Sequence, residues 1–169
     1  RFYLSQIFVL SLKGVPAFYL PAILASSNDL ETFSKTGQRR DLNREKFEAN
    51  KLNHILKNFD SPSSKNISYL NHAIKVRSKL KAFHPESPMK CLSTKALDHI
   101  TIQRGLNNEK VYAIYNMTDK YLKIPLLHEL NLENNNPNRQ LLDNLSGNLF
   151  KAINFILKPY QVVWLTLSD

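Results

Sequence analysis

Apolar and polar positions divide the chain into an apolar start, a helical middle and a region of strict alternation. From Arg1 to Ser27 the apolar residues dominate, and Arg1 and Lys13 are the only charges. This run predicts a buried helix over residues 2–12, a turn at Lys13-Gly14 and a buried strand over residues 15–20. A helix apolar on all sides followed by a short apolar strand is what a covered parallel sheet contains. Ala25-Ser26-Ser27 imitates the small-residue end of a signal peptide. Lys13-Gly14 splits the apolar run, however, and Pro16 and Pro21 follow, so no uninterrupted span of about 20 residues exists for a membrane.

Residues 25–43 are polar and too long for a minimal connection, which predicts a functional loop just beyond the apolar strand. Asn43 is placed to cap a helix starting at Arg44, with Glu45 in its favourable first turn. Leu52, Ile55, Leu56 and Phe59 form its apolar stripe, and Ser61-Pro62-Ser63-Ser64 breaks it. A second helix is predicted over residues 66–82, with Tyr69, Ala73, Val76, Leu80 and Phe83 facing the core. Beyond Pro85 the period drops to two. Ile100 and Ile102 alternate with polar residues, Asn107-Asn108 turns, Val111, Ala113 and Tyr115 follow, and Asp119-Lys120 turns again before residues 121–124. That is an antiparallel meander. An Asn-rich loop over residues 131–138 precedes strands at 140–143, 154–157 and 161–167, the last holding the single Trp164. The predicted class is α+β. Residues 1–84 form a helix–strand–helix–helix part, and residues 85–169 a small antiparallel β domain.

Composition narrows the function classes. With 169 residues and 43% hydrophobic content, the chain can bury a real core. Its charge of +9 raises nucleic acid as a partner, but Lys75, Arg77, Lys79 and Lys81 alternate with Ala, Val, Ser and Leu along a predicted helix. They spread over a solvated side, and no zinc-finger or RNA-stacking motif accompanies them. One Cys and five His give no disulfide framework, and His54, His72, His99 and His128 lack metal spacing. The lone Cys91 suits a reducing, cytoplasmic compartment. Four scattered Gly make no phosphate-cradling loop. Neither cofactor nor metal is expected, nor nucleic acid or membrane. The sequons at Asn66, Asn116 and Asn144 carry no argument for secretion.

Four segments carry a resemblance. GVPAFYLPAILASSNDLE from Gly14 to Glu31 is similar to the eighth barrel strand and following loop of sucrose phosphorylase and its relatives in the α-amylase superfamily. RDLNR, Arg40 to Arg44, resembles the stretch that closes that loop. Ala82-Phe83-His84-Pro85 and Lys158-Pro159-Tyr160-Gln161 with Trp164-Leu165 look like the same group, the last as a common ending of its C-terminal β domain. Two departures stand out. Arg39 sits where relatives often have Gly, and Ala25-Ser26-Ser27 replaces a Gly-containing turn.

The resemblance implies a C-terminal fragment: the last elements of a (β/α)8 barrel, then a sandwich-like β domain. It also implies retaining glucosyl transfer from an α-glucoside to inorganic phosphate, giving glucose 1-phosphate, with a carboxylate nucleophile and a carboxyl acid/base. In the family these lie upstream, so the chain is expected to be inactive without the missing barrel half. Asp29, Glu31, Asp41 and Glu45 read as solvated loop and helix-start carboxylates instead. Arg40 is the implied phosphate ligand, a guanidinium fork that fits phosphate oxygens. Its alternative role is a loop-anchoring ion pair with Asp29 or Asp41. Asn28, Asp29, Asn43 and Arg44 are expected to shape the loop, and His84 to pack at the boundary between the halves. The rival reading is a stand-alone accessory or sugar-binding β module, which a rim of exposed aromatics on the β half would favour.

Overall fold

The computed structural model describes residues 1–93, 97–132 and 139–168. Its order of elements is helical and then antiparallel, the expected α+β class. Two compact units emerge, one of residues 1, 3–16 and 73–169, the other of residues 2 and 17–72.

In the first unit, strands β1 (Met89–Cys91), β2 (His99–Arg104), β3 (Val111–Asn116), β5 (Gln140–Asp143), β6 (Leu149–Lys151) and β8 (Val162–Leu167) form one antiparallel sheet in the order β1-β2-β3-β8-β5-β6. Strands β4 (Leu122–Lys123) and β7 (Ile156–Leu157) pair separately. The alternation of β3 and β8 sends side chains to both faces of the sheet, and both are covered. Tyr112, Ile114, Val163 and Leu165 pack with Leu126 of helix α6 (Leu126–Glu129), Ile124, Phe155 and Leu157. On the opposite face lie Tyr115 and Trp164, where Phe8 meets Tyr115 edge-on at 5.3 Å and Phe83 packs on Trp164 at 4.6 Å. Phe8 belongs to helix α1 (Phe2–Ser11), so the first helix covers this sheet. That is why all six residues of β3 are buried rather than alternate ones.

Polar side chains complete this core. Arg104 is fully buried and donates to the carbonyls of Ser11 and Leu12 at 2.9 and 2.7 Å, where α1 leaves acceptors unsatisfied. It also reaches the carbonyls of His84 and Ser87. Asp143 accepts from the Trp164 and Leu145 amides and from the Ser146 hydroxyl. The sequon asparagines are spent inward as well. The amides of Asn66, Asn116 and Asn144 donate to the carbonyls of Ile23, Lys158 and Trp164.

The second unit holds the short helices α2 (Leu20–Ile23), α3 (Leu30–Thr36) and α4 (Ala49–Lys57), a 3-10 helix over Arg39–Asn43, and the first half of α5 (Pro62–Lys79). Asn66 fixes α5 to the end of α2 by donating to the Ala22 and Ile23 carbonyls.

Several expectations are corrected. Residues 15–20 form no strand. They have no strand partner among the described residues, and Val15 is 81% exposed, because a parallel strand needs neighbours that are not here. Helix α1 is not buried all round, since Phe2 and Val9 face out. No helix starts at Arg44; α4 begins five residues later, and Asn43 ends the 3-10 turn. Ser61-Pro62 opens α5 rather than separating it, because Pro suits a first helical position. The buried stripe of α5 runs through Asn66, Leu70 and Ala73, while Tyr69 is mostly exposed. The third meander strand, β4, leaves β3 and pairs with β7. The last strand before β8 is only Ile156–Leu157, and β1 and β6 were not expected. Of the Asn-rich loop, residues 133–138 lie outside the described residues.

Candidate functional site

The polar segment 25–43 is folded rather than open. Asp29 caps α3, accepting from the Thr32 amide at 2.9 Å and the Thr32 hydroxyl at 2.6 Å. Gly37 ends the helix in the left-handed region at φ 67°, donating to the Phe33 carbonyl. An Asp before a seven-residue run and a Gly after it was the readable signal for this helix, which the sequence reading missed. The chain then reverses, and the Asp29 amide donates to the Leu42 carbonyl at 2.8 Å, closing the loop on the 3-10 helix. Thr36 donates its hydroxyl to Asp41 at 2.6 Å.

This closure lines a groove of about 470 Å³ with Asp29, Thr32, Thr36, Arg40, Asp41, Arg44 and Lys46. Of the residues singled out in the sequence, Asp29, Arg40, Asp41 and Arg44 therefore share one groove. Asn28 and Asn43 are exposed and line none of it; the Asn28 carbonyl accepts from Leu30. Lys46, Thr32 and Thr36 join the set unexpectedly, brought in by the reversal at Gly37.

Both Asp carboxylates are already occupied. The Thr32 hydroxyl, then its amide, holds the Asp29 carboxyl below the usual range, so it stays ionised and is no proton donor. Asp41 takes the Thr36 hydroxyl, and Glu31 pairs with Lys35 at 2.6 Å. The cations are less constrained. Arg40 lies 4.0 Å from Asp41, at the outer limit of an ion pair, with its side chain 66% exposed. The groove brings Arg40, Arg44 and Lys46 beside Asp29 and Asp41, and guanidinium forks are suited to anionic oxygens. Among the described residues no His, Cys, Asp and Glu cluster could hold a metal. No helix there is long and apolar enough to cross a membrane.

Among its described residues the β half offers no aromatic rim. Tyr121 is its single largely exposed aromatic among the described residues. His84 is exposed, and its carbonyl, not its ring, serves Arg104.

No protein-family model matches the chain. It is 31% identical to a glucosylglycerate phosphorylase of Allomeiothermus silvanus over 98% of this chain and 26% of the relative. It is 34% identical to the glucosylglycerate phosphorylase of Escherichia coli over 52% of this chain and 16% of the relative. The chain thus spans about a quarter or less of these two curated relatives. An Anoxybacillus alpha-amylase shares its fold at a TM-score of 0.71 and 20% identity, over 99% of this chain and 32% of the amylase. So does the trehalose-6-phosphate hydrolase of Bacillus licheniformis, at 0.68 and 15%, over 99% of this chain and 38% of the hydrolase.

Proposed function

Because the chain belongs with the sucrose-phosphorylase-like glucosyltransferases of the α-amylase superfamily, we propose that it is the C-terminal part of an α-glucoside phosphorylase. Residues 1–84 would be the last elements of the catalytic barrel and residues 85–169 its C-terminal β domain. The reaction of the whole enzyme is retaining transfer of glucose from an α-glucoside to inorganic phosphate, releasing glucose 1-phosphate. Names of the relatives favour glucosylglycerate as the donor. This chain supplies phosphate recognition and the β domain; the upstream barrel half supplies nucleophile and acid/base. Alone it is inactive. A cytoplasmic setting accompanies this reading, since Cys91 is an exposed free thiol.

The groove of Arg40, Arg44 and Lys46 is the observation that carries the proposal. Arg40 is the phosphate ligand because its guanidinium offers a planar fork and is only loosely held by Asp41. Asn28, Asp29, Asn43 and Arg44 set the loop that presents it. Arg44 shares the groove, and Asp29 acts through its cap on α3. The rival sugar-binding module is disfavoured by the lone Tyr121.

The test is Arg40→Ala in the full-length enzyme. Phosphate-dependent turnover should fall about ten- to hundredfold, the equivalent of one charge-assisted hydrogen bond, while hydrolysis of the glucosyl enzyme persists. Lys at this position should restore only part, because a point charge lacks the fork. An equal fall in both reactions with a lower melting temperature would reduce Arg40 to a loop anchor.

A further inference from the structure

His99 opens β2 with its ring between two carboxylates. Nδ1 is 2.8 Å from Asp98 Oδ1, and Nε2 is 2.8 Å from Glu129 Oε2 on α6. The His99 and Glu129 side chains are only 10% and 9% exposed. Glu129 Oε1 is buried and has no hydrogen-bond partner among the described residues. A neutral imidazole has one N–H and one lone pair, so it can donate to only one of two ionised carboxylates. With both carboxylates ionised, both contacts at 2.8 Å are hydrogen bonds only when the ring is doubly protonated. The cross-strand neighbour on β3 is the neutral Asn116, and Asp98 and Glu129 are the charged groups acting on the ring.

We propose that Asp98, His99 and Glu129 form a proton-operated latch that holds α6 against β2 and releases it when the His99 ring loses its second proton. Loss of the ring proton leaves one ring nitrogen as a lone pair facing a carboxylate, with the Asp98 side chain 48% exposed and that of Glu129 only 9%, and Glu129 loses its counter-charge. Released with Glu129 is the segment whose Leu130 and Leu132 amides donate to Leu126 and Leu127. The same helix lines an apolar groove of about 450 Å³ with Lys123, Pro125, Ile153 and Asn154, so the latch sets the shape of that groove. The sign follows from the chemistry. The Glu129 hydrogen bond raises the His99 pKa above its ordinary value, so the closed form is favoured fully below about 6.5 and loses that advantage as pH rises through the raised value.

The experiment is amide hydrogen exchange on the whole chain from pH 5.5 to 9, corrected for intrinsic rates, with the His99 ring titrated by NMR. Protection at Leu130 and Leu132 should be constant below about pH 6.5. It should fall by up to about tenfold per pH unit between the free and latched His99 values, then level off. Ile114 in β3 serves as the reference and should not change. Glu129→Gln keeps an acceptor but removes the charge, so it should flatten the profile and lower the ring titration while Ile114 stays protected. A pH-independent wild-type profile, a His99 ring titrating at or below 6.5, or a loss shared equally with Ile114 would overturn the latch.

Discussion

The two compact units are built on opposite principles. The unit around the sheet closes over itself: Ile7, Leu10, Phe83, Tyr115, Trp164 and Leu165 are all within 1% of complete burial, and Arg104 and Asp143 are buried with partners. In residues 17–72 only Leu24, Asn66 and Leu70 are buried, and α2, α3 and α4 bury nothing completely. Instead this unit turns Tyr19, Leu20, Leu30 and Phe59 outward, at 53, 52, 67 and 85% exposure. The sheet is covered on both faces, although Val15, Leu106, Tyr121 and Leu149 of this unit are exposed as well. Large apolar side chains left outside a layer of short helices offer contact surface, and the proposed partner for it is the upstream barrel half. The first unit therefore holds most of the buried residues, while the groove lined by Arg40, Arg44 and Lys46 lies in the second.

Substitutions can break that contrast, and Arg104→Ala should have the largest effect. It strips several buried carbonyls of their donor at the end of α1, so a loss of about 3–5 kcal/mol in chemical denaturation is expected. A loss under about 1 kcal/mol would mean that α1 is not locked to the sheet. Gly105→Ala comes next. Its φ of 77° is left-handed, and an added Cβ would stand 2.6 Å from the Glu109 carbonyl oxygen, so about 2–4 kcal/mol should be lost. Smallest in stability is Phe59→Ser with Leu30→Ser, within about 0.5 kcal/mol each, because neither side chain is covered. Those changes sharpen the comparison by another readout. The unmodified chain should self-associate in sedimentation velocity, and the double variant should do so less. A stable monomer of the unmodified chain would say that the outward face needs no partner. A chain lacking residues 1–44 should be less stable, since it loses α1 and with it Ile7 and Leu10 from the sheet core.

The sequence was legible where periodicity reports burial on one element. Strand β5 falls at Gln140–Asp143 as its apolar spacing predicts, and β2 and β3 pair across the expected Asn107-Asn108 turn. It failed where burial is decided by polar groups or by distant chain. The stripe predicted through Ala73, Val76, Leu80 and Phe83 is at least half-buried throughout, and it failed only at its start, where Asn66 and Leu70 are buried and Tyr69 points out. Residues 15–20 read as a strand because they are apolar, yet apolarity cannot supply the strands they would pair with. Arg40, Arg44 and Asp29 were legible as a loop set through resemblance, but Lys46 reaches the groove only through the reversal at Gly37. The His99–Glu129 contact joins residues thirty positions apart, which no local pattern announces.

The central claim is that this chain is the C-terminal part of a phosphorylase whose reacting carboxylates lie elsewhere. It is tested most directly by assaying glucose 1-phosphate released from glucosylglycerate and from sucrose in phosphate buffer, first with the chain alone and then with the upstream barrel half of a relative added. The account predicts no release above an enzyme-free control for the chain alone, because nucleophile and general acid are both absent, and phosphate-dependent release once the barrel is completed. Turnover by the isolated chain would contradict it.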